Sequence, residues 1–176
     1  MKVIIHMIIT PNGMIARGKK GDTSFISKKA SRDFMRKMSA AKANLVGSGT
    51  YRETLRHGNF PYKGLNVVMT TSRIKSKWGN VIFTDRSPIK AIDLFKMANA
   101  STVLVGGGKI NSSFMKADLV DEIYLTIEPT IFTNGIKLFD GVDFEARLKL
   151  LDVKRLSKDE VQLHYKVIRR RSKSLK

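Results

Sequence analysis

The sequence predicts a three-layer α/β domain built on a central, mostly parallel mixed sheet that ends in an antiparallel hairpin. Three observations carry this. Short β-branched apolar runs recur at residues 3–9, 43–47, 65–69, 81–83, 103–105 and 123–132. Segments with helical spacing separate most of them, and alternating strands and helices favour parallel pairing through crossovers. The last two runs, about 148–156 and 160–168, are joined only by Ser157-Lys158-Asp159, which reads as a hairpin.

The elements follow in order. The first strand, 3–9, is apolar except for His6 and is broken by Pro11-Asn12-Gly13. Residues 16–24 are polar with two glycines and read as a mobile loop. Ser27 can N-cap a helix whose apolar face is Phe34, Met35 and Met38. Strand 43–47 runs into Gly47-Ser48-Gly49-Thr50, which opens a brief helical segment. Strand 65–69 ends in Thr70-Thr71-Ser72, and 81–83 is a fourth strand. Ser87-Pro88 is a cap followed by proline at the first helical position, and Ile92, Phe95 and Met97 suit a helix to about Asn99. Strand 103–105 enters Gly106-Gly107-Gly108-Lys109 and then a helix with Ile110, Phe114 and Met115. A long strand over 123–132 precedes the hairpin. One domain over 1–168 with a basic tail at 169–176 is the expected organisation.

Composition narrows the function. The chain has 176 residues, 42% apolar, enough for a sizeable core. It has no cysteine, which excludes disulfides, thiol catalysis and Cys-ligated metal, and its three scattered histidines (His6, His57, His164) suggest no metal site. No apolar run approaches a bilayer span, so no membrane association and a cytoplasmic location are expected. The net charge of +18 suits anionic ligands. Ten of the fifteen acids lie between Asp118 and Glu160, whereas 166–176 carries six cations and no acid. The tail reads as a solvated end. A nucleic-acid contact there is possible but not favoured, because no aromatic residue is interleaved for base stacking. A monomer or a homodimer fits equally.

In open α/β sheets ligands bind beyond the carboxyl ends of the parallel strands. Three strands here end in small or hydroxylated residues: Gly47-Ser48-Gly49-Thr50, Thr70-Thr71-Ser72 and Gly106-Gly107-Gly108-Lys109. Glycine admits a phosphate close to the backbone, and a following helix aims free N–H groups at it. Three such ends in one sheet favour a dinucleotide or another phosphorylated ligand. The spacing matches neither the dinucleotide-binding fingerprint nor a P-loop.

With these residues in view, the chain resembles the dihydrofolate reductase superfamily, which includes the reductase domain of riboflavin biosynthesis. Thr10-Pro11-Asn12-Gly13-Met14-Ile15-Ala16 resembles the family's exit from its first strand into an active-site loop. Gly47-Ser48-Gly49-Thr50-Tyr51 resembles its cofactor-contacting G-x-x-T-[WY] element. Residues 67–72 resemble the strand and turn that hold the adenosine 2′-phosphate, and 105–110 the glycine turn beneath the pyrophosphate, whose Gly-Gly bond, here Gly106–Gly107, is cis in the family. Residues 119–126 resemble the strand carrying a substrate-side threonine, here Thr126. The resemblance implies a dihydrofolate reductase-like fold and an NADPH-dependent reductase acting on a pterin or pyrimidine. Ile15, Ala16, Gly47, Ser48, Gly49, Thr50, Thr70, Thr71, Ser72, Gly106, Gly107, Gly108, Lys109 and Ile110 would hold the cofactor, with His6, Phe34 and Lys63 on the substrate side.

The pattern also departs from the family. The helix carboxylate of dihydrofolate reductases falls on Ala30, so Asp33 or Asp22 would substitute for it. The substrate arginine has no match, and Lys63 is the nearest cation. The Asp-Asp-Pro of riboflavin-type reductases is missing after Thr50, yet 106–123 and 21–27 resemble that branch, with Phe25 in place of the usual Trp. Dihydrofolate is the first expectation, with catalytic residues Asp22, Asp33 and Thr126. The alternatives are 5-amino-6-(5-phosphoribosylamino)uracil or its diamino analogue, and a catalytically inactive nucleic-acid-binding protein on the same fold. Taken residue by residue, His6 reads as a satisfied, partly buried histidine, Asp33 as a surface helix residue, Trp78 as a loop anchor and the methionines as core filler.

Overall fold

The computed structural model describes residues 1–168; the basic tail at 169–176 lies outside the described residues. The elements are β1 (Lys2–Ile9), β2 (Met14–Arg17), α1 (Lys28–Ala40), β3 (Ala43–Gly47), α2 (Ser48–Arg56), β4 (Leu65–Met69), β5 (Val81–Thr84), α3 (Pro88–Met97), β6 (Thr102–Gly106), α4 (Gly108–Lys116), β7 (Glu122–Ile127), β8 (Gly135–Lys137), β9 (Arg147–Arg155) and β10 (Val161–Ile168). The main sheet runs β5-β4-β3-β6-β1-β7-β10-β9. Its first six strands are parallel, and the β9–β10 hairpin adds the antiparallel edge.

Helices cover both faces. On one, Phe34, Met35 and Met38 of α1 and Tyr51 of α2 pack with Val46, Val68, Leu104 and Phe60. On the other, Phe95 of α3 and Phe114 of α4, both fully buried, pack against Ile5, Leu45, Val67, Val105 and Ile123. Burying one such aromatic contributes on the order of 3 kcal/mol. The expected caps are made: Ser27 Oγ accepts from the Ala30 N–H and Ser87 Oγ from the Lys90 N–H, with Pro88 opening α3. Trp78 packs its ring edge-on to Phe60 in the loop before β5.

Four expectations are corrected. The long strand over 123–132 stops at Ile127, because Pro129 has no N–H for a ladder and the Thr130 N–H turns back to the Glu128 carbonyl. The segment read as a mobile loop is partly sheet: β2 pairs antiparallel with β8, and Arg17 bridges to Asp22. Met97 is not core filler but 81% exposed at the end of α3, whereas Met38 and Met115 are buried. The cis bond expected at Gly106–Gly107 is not formed; among the described residues the cis peptide is Phe60–Pro61, and the glycine turn is made instead by Gly107 at φ 102°. β9 has no buried residue, so the outer edge of the sheet stays open.

Candidate active site

The carboxyl ends of all six parallel strands lie on one rim, and two of them meet there closely. β3 ends at Gly47 and passes directly into α2; β6 ends at Gly106, and Gly107 turns the chain into α4. Neither helix has a side-chain N-cap, so both nine-residue helices present backbone N–H groups at this rim. The two turns abut. A β-carbon on Gly107 would lie 2.9 Å from Thr50 Oγ1, and one on Gly47 would lie 3.1 Å from Ile110 Cγ1. One on Gly108 would strike the Lys137 carbonyl oxygen. A β-carbon is thus excluded at Gly107 and Gly108, and Lys109 stands exposed on the first turn of α4. The chemistry of this cradle suits a diphosphate: aligned amides, two helix dipoles and the Thr50 hydroxyl.

Thr70, Thr71 and Ser72 continue from the end of β4 along the same rim. The Thr70 hydroxyl accepts from the Ser72 N–H at 3.1 Å and shapes this turn, leaving Thr71 and Ser72 exposed. Ile15 and Ala16 are buried on β2, their backbone fixed by β8. Gly135 has no room for a side chain, because a β-carbon there would strike the Ala16 carbonyl oxygen. This β2–β8 ribbon is the part of the rim that the sequence left as loop.

Beside the cradle, on the α1 face of β1, sits His6. It is 3% exposed and its ring stacks on Phe34 at 5.3 Å, with Tyr124 edge-on. The expectation of a satisfied histidine is corrected: neither ring nitrogen has a hydrogen-bond partner in the protein. Burial, helped by the Lys37 charge and opposed by Asp33, lowers its pKa to about 4, so the ring is neutral at pH 7. Register places Gly106 beyond Val105, alongside His6, so no side chain flanks the imidazole from β6.

A polar chain runs under α1. Thr126 Oγ1 accepts from Gln162 Nε2 at 2.9 Å, Gln162 Oε1 accepts from Lys37 Nζ at 2.9 Å, and Lys37 pairs with Asp33 at 3.5 Å. The structure thus brings Thr126, Asp33, His6 and Phe34 together. Asp33 also pairs with Arg36. Burial pushes its carboxyl up, but the Arg36 bond and the Lys37 charge outweigh that and hold it below the ordinary value. Asp22 stands apart. Its carboxylate accepts from the Ser24 N–H and hydroxyl at 2.9 Å each and faces Arg17 at 3.5 Å. The Ser24 bonds hold its pKa low, so both aspartates are ionised anchors at neutral pH rather than proton stores. Lys63 lies at the opposite rim: it adjoins Gly64 where the Leu65 N–H meets the Lys42 carbonyl, at the amino ends of β3 and β4.

Sequence reasoning missed Glu128. It follows β7, is 3% exposed, and accepts from the Ser27 N–H at 3.0 Å. Burial raises its pKa, and neighbouring Glu160 adds to that, while the Ser27 bonds oppose it. Its signal in the sequence was an acid at the end of an apolar strand, just before Pro129. Among the described residues no group of three acids or histidines is placed to hold a metal, and no helix is long and apolar enough to cross a membrane.

Comparison with known proteins matches this architecture. The profile of the RibD C-terminal domain matches residues 1–162. Protein YwjB of Bacillus subtilis (strain 168) is 25% identical over 173 residues, covering 93% of this chain and 97% of its own. Among solved structures, a Shewanella sp. PV-4 protein named for riboflavin biosynthesis superposes with a TM-score of 0.82 at 19% identity, over 96% of this chain and 100% of that one. A deaminase/5-amino-6-(5-phosphoribosylamino)uracil reductase of Thermotoga maritima gives 0.73 at 20% identity, over 95% of this chain and 56% of that longer one.

Proposed function

The chain belongs to the RibD C-terminal domain family, and from that premise we propose that it is an NADPH-dependent reductase of the riboflavin-biosynthesis type. Its substrate would be a phosphoribosylated aminopyrimidine such as 5-amino-6-(5-phosphoribosylamino)uracil. The observation that carries the reading is the close approach of Gly107 to the Thr50 hydroxyl, with two helix N-termini lacking a side-chain cap beside it.

The residues fit the cofactor. Gly47–Thr50 and Gly106–Lys109 would grip the diphosphate, Thr70–Ser72 the adenosine end, and Ile15 and Ala16 the nicotinamide end. NADPH supplies the hydride when bound. The protein's own contribution is orientation and exclusion of water. Phe34, half-buried and stacked over the buried His6 ring, offers an aromatic face to a heterocycle. Gln162 fixes the Thr126 hydroxyl, and Glu128, whose pKa burial raises, is the carboxyl near this end of β7 best suited to hold a proton.

The pyrimidine takes precedence over dihydrofolate on three grounds. The family match is to the riboflavin-type domain, Ala30 offers no carboxyl to a pterin, and Lys63 lies at the wrong rim to hold a glutamate tail. The test is loss of reduced-nicotinamide absorbance with each substrate in parallel. Oxidation of NADPH with the aminopyrimidine and not with dihydrofolate is expected. The reverse preference would restore the folate reading, and activity with neither would remove both.

A further inference from the structure

Between α1 and the β9–β10 hairpin lies a cleft of about 400 Å3. Its helix wall carries Lys29, Arg32 and Arg36; its hairpin wall carries Lys154 and Arg155; its one acid is Asp33. That acid is already neutralised by Arg36 and Lys37. The cations at 29, 32 and 36 lie along one side of the helix, roughly one turn apart, about 5 Å in rise. Opposite them, Lys154 faces the same side of the sheet as Gln162 and Thr126, as its register shows.

Three of these cations donate to backbone carbonyls, Arg32 to that of Lys28 within its own helix. Arg155 donates to the Ser157 and Lys158 carbonyls and Lys29 to the Leu156 carbonyl, so the hairpin tip and helix are tied together. These bonds position positive charge without cancelling it. Arg32 and Lys154 have no acidic partner among the described residues. Five cations on two walls, with Arg36 shared with Asp33 and Lys29 beside Glu160, leave the cleft with a net positive charge that is complementary to a chain of regularly spaced phosphates.

We propose that this cleft, whose lining shares only Asp33 with the cluster around His6, is a binding groove for single-stranded nucleic acid, a proposal that does not rest on the function proposed above. The concave shape suits one flexible strand better than a flat bilayer. The walls contain no aromatic side chain, so binding is through the backbone, independent of sequence and steeply dependent on salt. Four to five phosphate contacts correspond to a slope of about −3 in log K against log salt for a single strand.

The test is fluorescence anisotropy of a labelled oligothymidylate with the full chain across a salt series. Arg32→Gln combined with Lys154→Gln removes two contacts and should flatten the slope by about 1.4, at about 0.7 each. Lys63→Gln combined with Lys90→Gln removes the same charge elsewhere and should leave the slope unchanged. Tm and far-ultraviolet circular dichroism verify that both variants fold. Equal losses in the two variants would show that net charge alone attracts the strand and overturn the groove. Failure of the wild type to bind at low salt would also overturn it. So would tighter binding to phosphatidylserine vesicles than to the oligonucleotide, with the same sensitivity to Arg32 and Lys154.

Discussion

A β-carbon placed on Gly107 would stand 2.9 Å from the Thr50 hydroxyl, closer than β-carbons come to a non-bonded atom. Gly107 also adopts φ 102°, which residues with side chains rarely hold. The contact joins the ends of β3 and β6, and both turns depend on it.

Gly107→Ala therefore should cost about 1–3 kcal/mol in backbone strain and push Thr50 out of the cradle. NADPH affinity is expected to fall by at least about tenfold, equivalent to about 1.4 kcal/mol. Isothermal titration checks this, with circular dichroism to verify folding. Wild-type affinity in a folded variant would remove the glycine turn from the cofactor site.

Thr126→Val deletes the oxygen that receives Gln162 Nε2 and leaves a buried donor unpaired. The expected cost is about 1–3 kcal/mol of stability, read by urea denaturation. Gln162 then loses its anchor, and Lys37 with it, so turnover should fall more than NADPH affinity. Thr126→Ser keeps the acceptor and should recover most of the turnover.

His6 makes stability depend on pH. Its folded pKa, about 4, lies below the ordinary 6.5. The unfolded chain therefore takes up the proton first, and the protein loses stability as pH falls from about 6.5 toward 4. Asp33, Lys37 and Tyr124 face the ring, and none of them becomes a hydrogen-bond partner for it. His6→Leu should flatten this part of the stability profile, measured by denaturation at pH 7 and pH 5. An unchanged profile would place the acid sensitivity elsewhere.

Gly64→Ala serves as a contrast far from the cradle. Gly64 has φ 78°, and an added β-carbon would strike the Lys42 carbonyl oxygen. Tm should drop by about 4–10 °C, as expected for a loss of roughly 2–3 kcal/mol in a chain of this size. The NADPH affinity of the folded fraction should stay the same, because the collision lies at the amino rim.

Much of this was legible in the residues. The parallel strands, the Ser27 and Ser87 caps and the hairpin at Ser157–Asp159 each follow from local pattern, and the glycine-ended strands do come to one rim. Long-range pairing was not legible. β8 is three residues long and exists only because Gly135 lets it lie against Ala16, a contact between positions more than a hundred residues apart. Glu128 was not singled out, because its partner, the N–H of the α1 cap Ser27, lies about a hundred residues away in the chain. His6 was legible as buried, but a missing partner is a property of the surroundings, which an apolar run does not encode. Asp22 and Asp33 looked equally suited to proton transfer, and their cationic and hydroxyl neighbours, set by the fold, tie both up.

The antiparallel docking of β10 onto β7 also bears on biosynthesis. Every parallel strand precedes the hairpin in the chain, so a ribosome finishes the helix-covered layers while the free side of β7 still displays bare amides and carbonyls. Only emergence of the final segment seals that seam. A chain cut before Val161 would lack Val167 from its core and leave β7 with one raw flank, a ready template for aggregation and a natural target for chaperones.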